Sequence, residues 1–172
     1  EYYPDQAAWI DQANPTTVND ERATLDVDGA TGAQRRMLLR FPTPTVPAGL
    51  SLQRGWFRFY DVGTAAAADL TGSAFPATNP AWTEGNVSWN GPWGTAGGDF
   101  DNTASSGPRW IGTTAQYFPD QGLTLTWTNS SRVNAGVLIL GAAGSSVSKQ
   151  AIGMVPFDAA QRIDQRYDRV PV

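Results

Sequence analysis

The sequence predicts an all-β protein, built as a single antiparallel β-sandwich of jelly-roll type. Short apolar segments recur along the chain between clusters of Gly, Pro, Asn and Thr, which is the spacing of strands in a sandwich or barrel. The 18 Gly and 12 Pro residues supply the turns that such a fold requires. A length of 172 residues is that of one ordinary domain, so residues 1–172 are predicted to fold as one unit.

Individual strands are recognised by their alternation. In residues 34–41, Met37 and Leu39 share one face while Arg36 and Arg40 share the other, as in a half-buried strand. Residues 52–62 carry aromatic side chains on both faces, which favours a central strand. The predicted strands are residues 7–11, 23–28, 34–41, 52–62, 86–90, 123–128, 137–142 and 150–155.

Helix signals are weak along the whole chain. Only residues 157–167 have an apolar spacing that would support about two or three helical turns. A final strand is the alternative for this segment, so its secondary structure stays open at this point.

Composition excludes several classes of function. The chain contains no Cys and no His, which excludes cysteine nucleophiles, Ser-His-Asp triads and Cys/His zinc sites. It has only three Glu, and no spacing indicates the paired carboxylates of a glycoside hydrolase, so we predict no enzymatic activity. The net charge of −4 opposes nucleic-acid binding. No apolar run approaches the roughly 20 residues of a membrane span, so we predict no membrane insertion.

A Gly-rich segment at about residues 90–108 is predicted to be a long surface loop, and loops of this length are commonly functional. Four tryptophans crowd around it. If their rings are exposed, they can stack on the apolar C–H faces of pyranose sugars; in the alternative interpretation each ring is core or anchors the loop. These candidate carbohydrate-binding residues are Trp82, Trp89, Trp93 and Trp110.

Two short acidic clusters are candidate metal ligands. Asp99, Asp101 and Asn102 lie on the Gly-rich loop, and Asp26 and Asp28 form a second pair. Oxygen ligands on irregular backbone suit Ca²⁺, and Asp99 and Asp101 are the first choice, although the EF-hand pattern is absent. The alternative is that these residues form Asx turns with solvated carboxylates.

Five segments occur in the order seen in DNRLRE domains, which this chain resembles over most of its first 105 residues. The most specific piece is the Trp-Thr-Glu-Gly-x-x-x-Trp-Asn string of residues 82–90. The resemblance implies a β-sandwich module of a secreted bacterial or archaeal protein, and some such modules are classed as carbohydrate-binding modules attached to polysaccharide-degrading enzymes. The Arg-rich residues 157–172 depart from the usual Pro-x-Leu-x-Val-x-Tyr ending. The matching segments are residues 9–19, 25–29, 35–41, 82–90 and 97–101.

The termini suggest a location and a way to assemble. The chain begins at Glu1 without Met, which is typical of a processed, secreted protein at the cell surface or outside the cell. Strands near both ends are candidates for pairing with other copies of the chain. The preferred interpretation is therefore a non-catalytic, self-assembling subunit of an extracellular fibre, tube or surface layer. The alternative is a carbohydrate-binding module that recognises a polysaccharide through the loop tryptophans. The predicted assembly residues are Trp9, Ile10, Ile163, Tyr167 and Val170.

Overall fold

The structure is a computed structural model of the chain. It describes residues 4–20, 25–43, 45, 47–50, 55–59, 70–103, 109–111, 116–120, 133–145 and 148–151. For residues 55–59, 109–111, 116–120 and 148–151 it describes the backbone alone. The predicted strand at 123–128 and the predicted helix or strand at 157–167 lie outside the described residues.

Every regular element in the described part of the chain is a strand, and all strand pairings there are antiparallel. This confirms the predicted all-β class. No helix in the described ranges is long and apolar enough to cross a membrane. The strands are β1 (Gln6–Asp11), β2 (Asn19–Asp20), β3 (Leu25–Asp28), β4 (Arg35–Arg40), β5 (Gly55–Phe59), β6 (Leu70–Pro76), β7 (Arg109–Ile111), β8 (Gln116–Asp120), β9 (Val137–Gly141) and β10 (Ser148–Ala151).

The strands of the described residues form two sheets, and the larger one is organised around β4. One side of β4 pairs with β1 along its whole length, and the other side pairs with β9, which continues to β6 and β7. β2 pairs with β1, while β3 pairs with β10 and meets β4 only at Asp28 opposite Arg35. β5 and β8 form the second sheet. Two antiparallel sheets are consistent with the predicted β-sandwich, and the jelly-roll connectivity stays a prediction.

One buried face of the larger sheet, which we call the β3 face, carries Met37, Leu39, Val137 and Ile139. Leu25 and Val27 of β3 pack into the same cluster, so β3 covers part of this face. Each such side chain contributes about 1.5–3 kcal/mol when it is fully removed from water. The cluster is completed by Ala7, Phe41, Leu70 and Ala74.

The opposite face, which we call the loop face, carries Ala8, Ile10, Leu38 and Leu138. Residues 77–103, which we call the covering loop, pack against it through Trp82, Val87 and Trp89. Backbone hydrogen bonds hold the loop at both ends, from Ala77 N–H to the Gly136 carbonyl and from Asp101 N–H to the Pro76 carbonyl, each 2.9 Å long. Because both faces are covered, the central strands are apolar on both sides, as Met37-Leu38-Leu39 shows.

The predicted strand at residues 86–90 is wrong. The N–H groups of Asn86 and Val87 both donate to the Thr83 carbonyl at 3.1 Å, which forms a turn. Ser88 makes only an isolated bridge to Gly91. Val87 and Trp89 are both apolar because the covering loop packs them against the loop face of the sheet. An irregular segment can therefore show the same alternation as a strand.

Four strands were not predicted, namely β2, β6, β7 and β8, of which β6 is the longest. β6 contains Gly72, Ser73 and Ala74, which have weak strand propensity, yet its residues alternate strictly between buried and partly buried positions. Pairing with β9 on one side and β7 on the other holds it in place. Here the tertiary environment overrides local propensity.

Candidate functional site

Two of the four tryptophans predicted to stack on sugars are buried beneath the covering loop. Trp82 has no exposed surface and Trp89 is 7% exposed. The Trp82 indole Nε1 donates a 2.8 Å hydrogen bond to the Ala135 carbonyl. Both rings pack in one cluster with Leu38 and Leu138. The exposure that sugar stacking requires is not met at these two positions, because an apolar sheet face needs a cover and these rings provide it. The alternative interpretation, in which the rings anchor the loop, describes both.

The other two tryptophans, Trp93 and Trp110, are not shown to be buried in the core. Trp93 is only partly buried, and its Nε1 donates a 2.8 Å hydrogen bond to the Ser88 carbonyl. Trp110 lies in β7 opposite Thr71 of β6, and its side chain lies outside the described residues. A stacking role for these two residues stays a prediction.

Asp99 closes the tip of the covering loop. Its carboxylate accepts hydrogen bonds from Gly94 N–H at 2.7 Å, Thr95 N–H at 2.9 Å and the Asn79 amide at 3.2 Å. Desolvation by burial acts to raise the pKa of Asp99, but these donors favour the charged form, and together they bring the pKa below its ordinary value. The Asp99 carboxylate therefore links residues 79, 94 and 95 of the covering loop to one another.

Asp101 and Asn102 complete the acidic cluster of this loop. The Asp101 carboxylate accepts hydrogen bonds from the Thr103 N–H at 2.9 Å and the Thr103 hydroxyl at 2.6 Å, and Asn102 is exposed. A side-chain oxygen bonded to the N–H two residues later is an Asx turn, which is the alternative interpretation of this cluster.

Each arginine of β4 lies over a tryptophan ring, an arrangement that adds cation–π attraction to the packing. Arg36 also donates a 2.6 Å hydrogen bond to the Gly97 carbonyl, and desolvation by burial lowers its pKa. Arg36 and Arg40 tie the covering loop to the loop face, whereas Arg35 lies on the β3 face. The guanidinium carbon lies 5.6 Å from the Trp9 ring centre for Arg35, 4.7 Å from that of Trp89 for Arg36, and 5.4 Å from that of Trp82 for Arg40.

Trp9 combines an aromatic ring with charged neighbours near the β2 edge of the larger sheet. It lies in β1, opposite Met37 on one side and Asn19 on the other. Its ring is partly buried against the core of the β3 face. The Arg35 side chain beside it is 36% exposed. We call the exposed parts of Trp9 and Arg35 the Trp9 surface.

Three buried carboxylates surround Arg35. Its Nη1 lies 3.1 Å from Asp26 Oδ2, and its Nε lies 3.9 Å from Asp28 Oδ2 and 4.0 Å from Asp11 Oδ2. The exposed fractions of Asp11, Asp26 and Asp28 are 3%, 6% and 7%. The guanidinium is therefore held in one position within an acidic environment.

The structure places these aspartates in polar turns as well. Asp11 accepts hydrogen bonds from Ala13 N–H at 2.9 Å and Asn14 Nδ2 at 2.8 Å, and Asp28 accepts one from Ala30 N–H at 3.2 Å. In the described part of the chain, no group of three or more acidic side chains is arranged to hold a metal ion. Calcium binding by Asp26 and Asp28, or by the covering loop, stays a prediction.

Of the residues predicted to mediate assembly, the structure describes two. Ile10 is fully buried on the loop face and Trp9 is partly buried. β1 is paired with β4 and, at Ala8 and Trp9, with β2, so it is an internal strand of the sheet. Ile163, Tyr167 and Val170 lie outside the described residues, and assembly through the termini stays a prediction.

Sequence reasoning missed the combination of Trp9 with Arg35. Trp9 and Asp11 are two residues apart and so lie on the same face of their predicted strand. Arg35 lies near the start of the predicted strand at residues 34–41. Only the pairing register, which puts Asp11 opposite Arg35, shows that these residues meet. No local pattern specifies that register.

No curated protein matches the chain at a significant level of similarity. Residues 1–106 match the model of carbohydrate-binding module family 96. The matched segment is more than half of the chain and contains β1, β4, the covering loop and the Trp9 surface. It supports the resemblance noted from the sequence at the level of carbohydrate-binding modules. The chain therefore belongs to carbohydrate-binding module family 96.

Proposed function

We propose that this chain is a polysaccharide-binding domain without catalytic activity. Membership in carbohydrate-binding module family 96 is the observation that carries the proposal. Modules of this kind are non-catalytic in general. The composition agrees, because the chain has neither Cys nor His and only three Glu.

The Trp9 surface is the proposed point of contact with the sugar. The Trp9 indole packs against the core of the β3 face and lies under the Arg35 guanidinium, and the part of it that stays exposed is the apolar area proposed to contact a pyranose ring. The Arg35 guanidinium lies over this ring in a side chain that is 36% exposed, and guanidinium N–H groups are suitable donors to sugar hydroxyls. Trp82 and Trp89 are buried, so in this proposal they stabilise the fold and do not contact the sugar.

Family membership favours polysaccharide binding over the self-assembling subunit that the termini suggested. A binding domain needs only a rigid sheet and one accessible aromatic surface, and the described part of the chain supplies both. The proposal places the protein outside the cell or at its surface, where structural polysaccharides occur. Its partner is thus a glycan chain rather than further copies of itself.

The proposal is tested by isothermal titration calorimetry against a panel of soluble polysaccharides. We expect the wild-type chain to bind at least one of them, and Trp9→Ala to weaken that binding about tenfold or more, because the stacking area is lost. Trp9→Phe keeps an aromatic ring and should retain part of the affinity.

Trp93→Ala is the comparison variant, because Trp93 is also a partly buried tryptophan but belongs to the covering loop. A loss of affinity in Trp93→Ala with none in Trp9→Ala would assign the contact to the covering loop. Circular dichroism of each variant establishes that it is folded. If the Trp9→Ala variant is folded and binds with undiminished affinity, the sugar-binding site does not include Trp9. A wild-type chain that binds no polysaccharide of the panel would overturn the proposed function.

A further inference from the structure

Asn90 and Gly91 lie at a tight turn of the covering loop and form the sole Asn-Gly pair of the sequence. Asn90 is exposed, and its side-chain amide has no hydrogen-bond partner among the described residues. The Ser88 N–H donates to the Gly91 carbonyl at 2.8 Å, whereas the Gly91 N–H donates to the Ser88 carbonyl at 3.4 Å. Because a hydrogen bond of that length is weak, the Gly91 nitrogen is only loosely held beside the Asn90 side chain.

This arrangement supplies the two groups that the deamidation of an asparagine requires. After the Gly91 N–H loses its proton to solvent, the backbone nitrogen attacks Cγ of Asn90. A bond forms between that nitrogen and Cγ, the Cγ–Nδ2 bond breaks, and Nδ2 takes a proton from solvent and leaves as ammonia. Water then opens the resulting succinimide ring at either carbonyl, which gives aspartate or, where the chain continues through the side chain, isoaspartate. Glycine favours ring closure because it has no Cβ to shield its nitrogen or to restrict its backbone.

The other described asparagines lack at least one of these features. Asn102 is also exposed, but the Thr103 N–H that would attack it donates a 2.9 Å hydrogen bond to Asp101, and threonine is branched at Cβ. The amide nitrogen of Asn19 is buried. The remaining asparagines have a hydrogen-bonded side-chain amide, and two of them precede proline, which has no N–H. They are Asn14, Asn79, Asn86 and Asn134.

From this comparison we infer that Asn90 is a modification site, which the Gly91 nitrogen converts slowly to aspartate and isoaspartate in the folded protein. The reactants are these two residues and water, so the reaction needs no enzyme. The inference does not depend on sugar binding, because it requires only the turn of residues 88–91.

Isoaspartate at position 90 would alter the backbone where the covering loop is held in place. It inserts one methylene into the main chain between residues 90 and 91. The Asn90 N–H donates to the Pro15 carbonyl at 2.9 Å, and the Ser88 N–H donates to the Gly91 carbonyl at 2.8 Å. A longer main chain between these two hydrogen bonds shifts one relative to the other, so we expect the modified chain to be less stable than the unmodified one.

The test follows the full chain by peptide mass spectrometry during incubation at physiological temperature. We expect the peptide that contains Asn90 to gain about 1 Da, the difference between an amide and a carboxylic acid, and to separate into aspartate and isoaspartate forms on chromatography. The rate should be higher in mildly alkaline than in mildly acidic buffer, because the attacking nitrogen must lose its proton. The peptide that contains Asn102 should stay unchanged over the same period.

Gly91→Ala tests the role of the attacking residue. A Cβ atom at Gly91 meets nothing within 4 Å and its φ is not left-handed, so the variant should fold. We expect it to slow the reaction about tenfold or more. Gly85→Ala is the matched control, because Gly85 lies in the same loop with equally open space and does not follow an asparagine. It should leave the rate unchanged, and thermal unfolding checks that both variants are folded.

Three results would overturn the inference. The first is a folded chain in which Asn90 keeps its mass while the urea-unfolded chain is deamidated there, because the turn would then protect Asn90. The second is a Gly91→Ala variant that reacts as fast as the wild-type chain. The third is deamidation of Asn102 at the same rate as Asn90, because the turn would then confer no selectivity.

Discussion

Trp82 and Trp93 make the same hydrogen bond in different surroundings. In both, the indole Nε1 donates to a backbone carbonyl at 2.8 Å. Trp82 is completely buried, whereas Trp93 is partly exposed. A buried carbonyl that loses its donor has no water to replace it, so the two bonds should differ in what they contribute to stability.

We therefore expect Trp82→Phe to lower the free energy of unfolding by about 2–4 kcal/mol, through an unsatisfied carbonyl and a small cavity. Trp93→Phe should cost about 1 kcal/mol or less. Guanidinium chloride unfolding followed by circular dichroism measures both. Equal losses in the two variants would contradict the assignment of Trp82 as the internal anchor of the covering loop.

Asp99 predicts a dependence of stability on pH. Hydrogen bonds from Gly94, Asn79 and Thr95 outweigh desolvation and leave the pKa of Asp99 lower in the folded chain than in the unfolded one. Its stabilising effect is then fully present above the unfolded pKa of about 4 and is lost as the pH falls through the folded pKa. Unfolding free energies of wild-type and Asp99→Asn chains, measured from neutral pH into acid, should differ at neutral pH and converge below pH about 4. A difference that does not change with pH would argue against this role.

At the scale of elements, Gly136 determines how closely β9 approaches β4. Its φ is +85°, and a Cβ atom there would collide with the Leu39 carbonyl oxygen and lie 3.0 Å from Arg40 Cα. Gly144 has nearly the same φ, +82°, but a Cβ atom would meet nothing within 4 Å. An alanine at Gly144 would therefore meet backbone strain alone, whereas an alanine at Gly136 would meet both strain and a steric clash.

We expect Gly144→Ala to cost about 1–2 kcal/mol, the strain of a left-handed backbone alone, and Gly136→Ala to cost about 3 kcal/mol or more. Denaturant unfolding curves measure both losses. If Gly136→Ala is no worse than Gly144→Ala, the close approach of the strands is less rigid than the structure indicates.

The elements also show how far local pattern reaches. The central strands β1, β4 and β9 lie within the predicted segments 7–11, 34–41 and 137–142 to within a residue, because long apolar runs specify extended chain directly. The prediction for residues 86–90 was wrong and β6 was not predicted, because both segments depend on what packs against them. The same alternation that marks a strand also arises in an irregular layer lying on a sheet.

At the scale of the whole molecule, the mass in solution distinguishes the two functions that the sequence suggested. A polysaccharide-binding domain should sediment and scatter as a single chain of 18.4 kDa. We expect that mass with and without a calcium chelator. A larger particle would support assembly, and one that falls to a single chain on chelation would support the predicted calcium ligands Asp99, Asp101 and Asn102.

The sequence by itself determined the all-β class, the positions of the central strands, the excluded chemistries and the resemblance to secreted sugar-binding modules. These properties follow from local alternation and from which residue types are present. Only the tertiary structure decided which tryptophans are buried and that Asp11 meets Arg35 beside Trp9. Burial depends on what covers a ring, and strand register depends on partners distant in sequence, so neither is written in any local pattern.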